Sequence, residues 1–265
     1  MSAIPFTLLP MPPVEFVSVI LPTYNEVENI VPLLRAIDAA VSQPHELIVV
    51  DDNSPDGTAR KVREVMVPGD LPCVRLEVRT HDRGLTKSLQ RGIELAKGDT
   101  VVWMDCDFSM PPEKIPELLS QVERGCDIAV GSRFVSGGAQ KGYDPGESPL
   151  AIFLSSMLNL TLRWSLSPRF HDYTSGFIAI RRDIFKVIRL RGDYGEYFMD
   201  LMFRAILLGY SFVEIPYVCV ARRAGESKTA PNMRLLVWRG LKYLACIPRL
   251  WGVRIKHLLG FSITG

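Results

Sequence analysis

The sequence predicts an α/β fold, a mainly parallel sheet with helices on both faces, followed by a C-terminal amphipathic helical tail. Three observations predict it. Short apolar runs alternate with helical patterns in a βαβα order between residues 17 and 130, and right-handed crossovers turn that order into a parallel sheet. The polar motifs fall directly after the apolar runs, at the carboxyl ends of the strands, where sheets of this kind hold ligands. The composition, 47% hydrophobic and 23% charged over 265 residues, suits a folded globular chain of one large domain or two small ones.

Strands are expected at residues 17–21, 47–50, 74–78, 101–104 and 128–130, each a short apolar run bounded by turn residues. Helices are expected at 28–41, 58–67, 86–96 and 113–123, the last opened by Pro112 near its start. Residues 148–162 are the longest charge-free stretch. They read as a buried or interfacial helix, because Pro149 sits near the start and Arg163 interrupts the run before it reaches membrane-spanning length. Residues 1–13 carry four prolines and no basic segment before an apolar run, so they read as an extended tail and not as a signal peptide.

The fourth strand runs into Asp105-Cys106-Asp107. Residues two apart on a strand share a face, so both carboxylates project together as hard oxygen ligands for Mg²⁺ or Mn²⁺. Taken alone, such a pair is more often a solvated loop or a helix cap. The first strand ends in Pro22-Thr23-Tyr24-Asn25-Glu26. There Pro22 stiffens the exit, Tyr24 offers a flat ring for a base, and Glu26 can accept from a ribose hydroxyl or base amine; Asn25 equally suits the cap of the following helix. The second ends in Asp51-Asp52-Asn53-Ser54-Pro55-Asp56-Gly57-Thr58, whose acids suit a nucleoside and whose Pro-Asp-Gly suits a turn.

A net charge of +2 argues against nucleic-acid binding over a broad basic surface. The charge is uneven: no acid follows Glu226, while Lys228, Arg234, Arg239, Lys242, Arg249, Arg254 and Lys256 alternate with apolar residues. That pattern reads either as a membrane-surface element or as a solvated basic helix covering the core. The five cysteines show no C-x-x-C spacing, which indicates neither a zinc site nor a disulfide framework and fits a reducing compartment.

Together with Arg83-Gly84-Leu85, Gly131-Ser132-Arg133-Phe134, Thr174-Ser175-Gly176-Phe177 and Gly225-Glu226-Ser227-Lys228, these strand-end motifs resemble the family 2 glycosyltransferases, nearest to their dolichyl- and polyprenyl-phosphate mannosyltransferase branch. The resemblance implies a GT-A (Rossmann-like) domain over residues 15–230, between an extended tail at 1–14 and a basic helical tail at 231–265. It implies inverting, metal-dependent transfer of a sugar, mannose from GDP-mannose above all, to a polyprenyl or dolichyl phosphate. The enzyme would be cytoplasmic and peripheral at the cytosolic face of a membrane, with room for an integral-membrane anchoring partner.

Carried over residue by residue, Pro22, Tyr24, Glu26, Val50 and Asp52 hold the nucleoside, while Asp105, the backbone at Cys106, and Asp107 hold metal and diphosphate, with Ser109 as a further metal ligand. Arg133, Arg222 and Lys228 contact phosphates, and Asp107, Arg133 and Lys228 carry the catalysis. Asp172 and Ser175 shape the acceptor side. The chain departs from the branch at Ser109 and Met110, where glutamine and histidine are usual, and at residues 142–148, where acids stand in place of a tryptophan followed by a basic residue. Two other readings stand beside this one. A soluble family 2 transferase acting on a saccharide would need a carboxylate base near the acceptor, with Asp172 or Asp200 as candidates, and UDP-glucose or another nucleotide sugar is the alternative donor. A noncatalytic membrane scaffold would keep the fold without turnover.

Overall fold

The computed structural model describes residues 13–67, 69–140, 149–220, 222–224 and 233–264. A seven-stranded sheet runs in the order β3-β2-β1-β4-β7-β5-β8, built from β1 (Val17–Thr23), β2 (His45–Asp51), β3 (Val74–Val78), β4 (Thr100–Trp103), β5 (Ile128–Ser132), β7 (Ile178–Arg181) and β8 (Phe212–Pro216). All are parallel except β7, which lies antiparallel between β4 and β5. A separate ribbon pairs β6 (Ala139–Gln140) with β9 (Val218–Cys219).

In the inner strands the side chains alternate between two buried faces, which explains why those strands read as continuous apolar runs. Val19, Leu21, Leu47, Val49 and Val102 pack against α1 (Ile30–Ala40), α2 (Thr58–Val65) and α4 (Ile115–Glu123). Ile20, Ile48, Val50, Val101 and Trp103 pack on the other side against α3 (Leu85–Leu95), α6 (Glu196–Leu207) and the inner edges of α5 (Pro149–Ser165) and α7 (Met233–Leu258).

The first nine expected elements are all present, with shifted ends. Helix α1 starts at Ile30 and not at residue 28, because Asn25 adopts a left-handed φ of +53° and the amides of both Asn29 and Ile30 donate to Glu26 O. Asn25 is therefore not its cap. Helix α2 stops at Val65, short of the expected 67, consistent with the bias of a following proline against helical backbone at Val67.

The apolar stretch forms α5, and it is both buried and exposed. Leu162 has no accessible surface, while Leu150, Phe153, Met157, Leu160 and Trp164 form an exposed stripe at heptad-like spacing. Helix α7 likewise buries Leu250 and exposes Trp238, Leu241, Trp251, Ile255 and Leu258. It is fastened to α5 by Trp251 Nε1, which donates to Ser165 O at 2.9 Å, and by Arg254, which donates to Leu166 O. No helix of the described residues is long and apolar enough to cross a membrane. The residue 142–148 departure and Lys228 lie outside the described residues.

Candidate active site

The loops after β1 and β2 are fastened together by short polar side chains. Asp51, fully buried, accepts from the amide and hydroxyl of Ser54, and Ser54 Oγ accepts from the Asn25 amide at 2.9 Å. Thr58 Oγ1 accepts from the Glu26 amide, and Asp56 accepts from that of Val27, both at 3.0 Å. The motif that reads as a turn thus holds the first loop in place. Tyr24 stands 43% exposed just past β1, while Glu26 is buried and accepts from Asn29 Nδ2 at 2.8 Å.

Asp52 is held on three sides. Its carboxylate accepts from Arg79 Nη1 at 3.1 Å, Ser88 Oγ at 2.8 Å and the Gly84 amide at 2.6 Å, which ties the Arg83-Gly84 turn to the end of β2. Arg79, one residue past β3, escaped the sequence reading. Val50 has no accessible surface and packs in the core beneath this loop. Pro22 pairs with it across the β1–β2 ladder.

Beyond β4 the acid pair divides into two roles. Asp107 is buried, accepts from the Ser109 amide at 2.9 Å and pairs with Arg222 Nη2 at 3.2 Å. Asp105 is exposed, and among the described residues its carboxylate makes no hydrogen bond or ion pair. Although water reaches it, Asp105 is ringed by protein. That partial desolvation and then the Asp107 charge, with Glu26 adding, raise its pKa, against the pull of Arg222 and Arg133. Clustered carboxylates with one unpartnered member fit a divalent cation, which would relieve their repulsion. The Cys106 side chain turns inward, its thiol reaching Pro22 O, leaving its main chain for a ligand.

Main-chain bonds bring Arg222 here. The Val220 amide donates to Ser109 O at 3.2 Å and the Arg223 amide to Asp107 O at 3.0 Å, so the segment leaving β9 lies along the acid loop. Arg133, just past β5, forms a two-pronged pair with Asp172, Nε to Oδ2 at 2.9 Å and Nη2 to Oδ1 at 2.8 Å, and Nη2 also donates to Thr174 Oγ1. Asp172 is fully buried; the amides of His171 and Asp172 donate to Glu214 on β8. Helix α5 joins the same loop through Asn159, which accepts from the Tyr173 amide at 2.9 Å and donates to His171 O. Ser175 instead donates to Gly131 O, bracing β5.

The Asp200 carboxylate is also occupied: it pairs with Arg204 on its own helix and lies 3.4 Å from Arg249 of α7. Both carboxylates proposed as bases for a saccharide acceptor are therefore bound to arginines. Sequence reasoning also missed Tyr197, which is buried, and Tyr243, which is half-buried; the pKa values of both phenols rise chiefly through desolvation and also through the Asp105 charge. Tyr197 accepts from Trp103 Nε1 at 3.1 Å, which seats it beside β4.

A profile described as "Glycosyl transferase family 2" matches residues 18–189, well over half of the chain. The chain belongs to glycosyl transferase family 2. Among curated relatives of this family 2 chain, the "Dolichol-phosphate mannosyltransferase" of Pyrococcus furiosus is 35% identical over 256 residues, covering 94% of this chain and 68% of the relative. The "Polyprenol monophosphomannose synthase" of Mycolicibacterium smegmatis is 35% identical over 249 residues, covering 91% and 89%. Glucosyl-3-phosphoglycerate synthase from Mycobacterium tuberculosis, solved with Mn²⁺, UDP and phosphoglyceric acid, superposes with a TM-score of 0.66 at 17% identity over 89% of this chain and 78% of that one. That likeness places the family 2 chain in the GT-A fold, as the sequence predicted.

Proposed function

We propose that the chain is an inverting, metal-dependent glycosyltransferase that moves mannose from GDP-mannose to a polyprenyl phosphate at the cytosolic face of a membrane. The observation that carries this is the meeting of Asp105, Asp107, Glu26, Arg222 and Arg133 in one cleft at the carboxyl ends of the strands. Two relatives at 35% identity whose names specify mannose and dolichol or polyprenol phosphate support the sugar and the acceptor.

Pro22, Tyr24, Glu26 and Asp52 would receive the nucleoside, with Val50 forming the floor from below. Asp105, Asp107 and Ser109 would hold Mg²⁺ or Mn²⁺, and the bound ion would stabilise the charge of the departing nucleoside diphosphate. Arg222, Arg133 and Lys228 offer guanidinium and ammonium charge to the phosphates of donor and acceptor. A phosphate acceptor is already anionic and needs no base. The engagement of Asp172 and Asp200 with arginines therefore favours it over a saccharide hydroxyl.

The exposed apolar stripes of α5 and α7, with Lys242, Arg249 and Lys256 on α7, would rest on anionic lipid, and Asn159 connects that surface to the loop holding Arg133. An integral-membrane partner would strengthen the anchoring. The test is transfer from labelled GDP- and UDP-sugars, with Mg²⁺ or Mn²⁺, into organic-extractable product in the presence of polyprenyl phosphate. Lipid-linked mannose that requires Asp107 is expected. Donor hydrolysis without lipid product, or transfer from UDP-glucose alone, would overturn the reading.

A further inference from the structure

At the amino-terminal edge of the sheet, opposite the cleft, three side chains from separate elements converge: Asp38 in the last turn of α1, His45 at the start of β2, and Cys73 just before β3. Their ligand atoms all lie within 4.8 Å of one another. Asp38 Oδ1 is 3.2 Å from His45 Nε2 and 3.3 Å from Cys73 Sγ. Tetrahedral zinc, with bonds of about 2.0 Å to nitrogen and oxygen and about 2.3 Å to sulfur, sets ligand-to-ligand edges of about 3.3–3.5 Å. Two edges of such a site are already close to that length.

The His45 ring adds an independent argument. Nδ1 lies 2.8 Å from Gln43 O, which can only accept, so Nδ1 carries a proton and Nε2 is turned toward the carboxylate and the thiol. A main-chain carbonyl behind one ring nitrogen, with the other aimed at two further ligand groups, is the outer-shell arrangement that orients metal-binding histidines. The His45 side chain is 11% exposed and that of Asp38 42%, so the cluster opens to solvent on the Asp38 side, leaving an entry path and a fourth position for water.

We propose that Asp38, His45 and Cys73 form a second metal site that takes a borderline-soft divalent ion, Zn²⁺, separate from the oxygen-lined site at Asp105 and Asp107. Thiolate and imidazole ligands select zinc over magnesium. The ion would clamp the end of α1 to the starts of β2 and β3, where the Leu47 amide already donates to Cys73 O at 2.9 Å. Cysteine spacing does not reveal the site, because each ligand comes from a different element.

The test uses the full chain without an affinity tag, in excess Mg²⁺ to occupy the acid pair, with Co²⁺ as a spectroscopic probe. A thiolate-to-cobalt charge-transfer band that saturates at one equivalent and is displaced by Zn²⁺ is expected. It should vanish in Cys73→Ser and in His45→Gln and persist in Asp107→Ala. Zn²⁺ should raise the thermal midpoint of the parent chain and leave that of Cys73→Ser unchanged. Absence of the band, or a band that survives either Cys73→Ser or His45→Gln, would overturn the site and leave the cluster as a hydrogen-bonded histidine–carboxylate–thiol group.

Discussion

Arg133 and Asp172 face each other through two parallel hydrogen bonds of 2.8 and 2.9 Å, and the carboxylate of the pair is fully buried. Removing one partner strands a desolvated charge. Asp172→Ala should therefore lower unfolding stability by about 3 kcal/mol, and Arg133→Ala combined with Asp172→Ala should cost less than the sum of the single changes. Urea denaturation of the four proteins in the cycle measures both. Strict additivity would mean the pair is not energetically coupled.

Asp105 and Asp107 stand in different environments: among the described residues the carboxylate of the first is exposed and makes no ion pair, while that of the second is buried and paired with Arg222. Asp105→Ala and Asp107→Ala should each reduce transfer by roughly two orders of magnitude. Of the two, Asp107→Ala should also disturb the segment at Arg222, because Asp107 is the acid of the pair that bonds to it. Steady-state kinetics across a metal titration, with limited proteolysis between residues 216 and 233, separates the two effects.

The exposed apolar stripe of α5 and α7 predicts a surface-bound protein. Phe153→Ser and Trp164→Ser remove side chains that are 59% and 70% exposed, so the fold should tolerate both. Each should weaken partition onto anionic liposomes by about tenfold, the value of taking one large apolar side chain out of water. Flotation with lipid titration reads the change. Equal binding by the parent chain and the double variant would remove these helices from the membrane contact.

How much of this was legible in the sequence depended on range. Residues 17–130 were readable because the inner strands are buried on both faces and each helix follows its strand locally. The direction of β7 was not, since the four residues Ile178–Arg181 carry no sign of being antiparallel, and that placement is decided by β4 and β5 on either side. The strand-end acids Asp52, Asp105 and Asp107 were visible as motifs. Their partners were not: Arg79, Arg222 and, for Arg133, Asp172 are chosen by topology across 27, 115 and 39 positions of the numbering, where spacing carries no information.

Gly92 tests the contact of α3 with the sheet. A Cβ at this position would lie 2.3 Å from Ile20 Cγ2, inside the buried face of β1. Gly92→Ala should cost about 1–3 kcal/mol despite the better helix propensity of alanine. Ile20→Ala introduced alongside it should recover part of the loss, because it removes the clashing methyl. Thermal and denaturant unfolding of the two single variants and the double variant gives the answer, and a neutral or stabilising Gly92→Ala would show that the helix shifts freely.

Glu46 sets the response to acid at the other end of the sheet. Its buried carboxylate accepts from Ser18 Oγ at 2.8 Å, the Lys97 amide at 2.7 Å and Arg75 Nη1 at 2.7 Å, joining β1, β2, β3 and the turn before β4. Burial pushes its pKa up, but the hydrogen bonds from Arg75, Lys97 and Ser18 and the Arg75 charge outweigh it, so the folded value lies below the ordinary 4.5. A depressed folded value means that the charged form is held by the native state. The stabilisation is therefore complete above 4.5 and disappears as pH falls through the lower folded value. Glu46→Gln should cost about 1.5 kcal/mol at neutral pH, because a neutral amide replaces three charge-assisted bonds while Arg75 remains partly hydrated. Below the folded value the parent and the variant should converge. Unfolding free energies from pH 7 down to pH 3 measure the gap, and a gap that stays constant over that range would assign the loss to packing and not to the carboxylate charge.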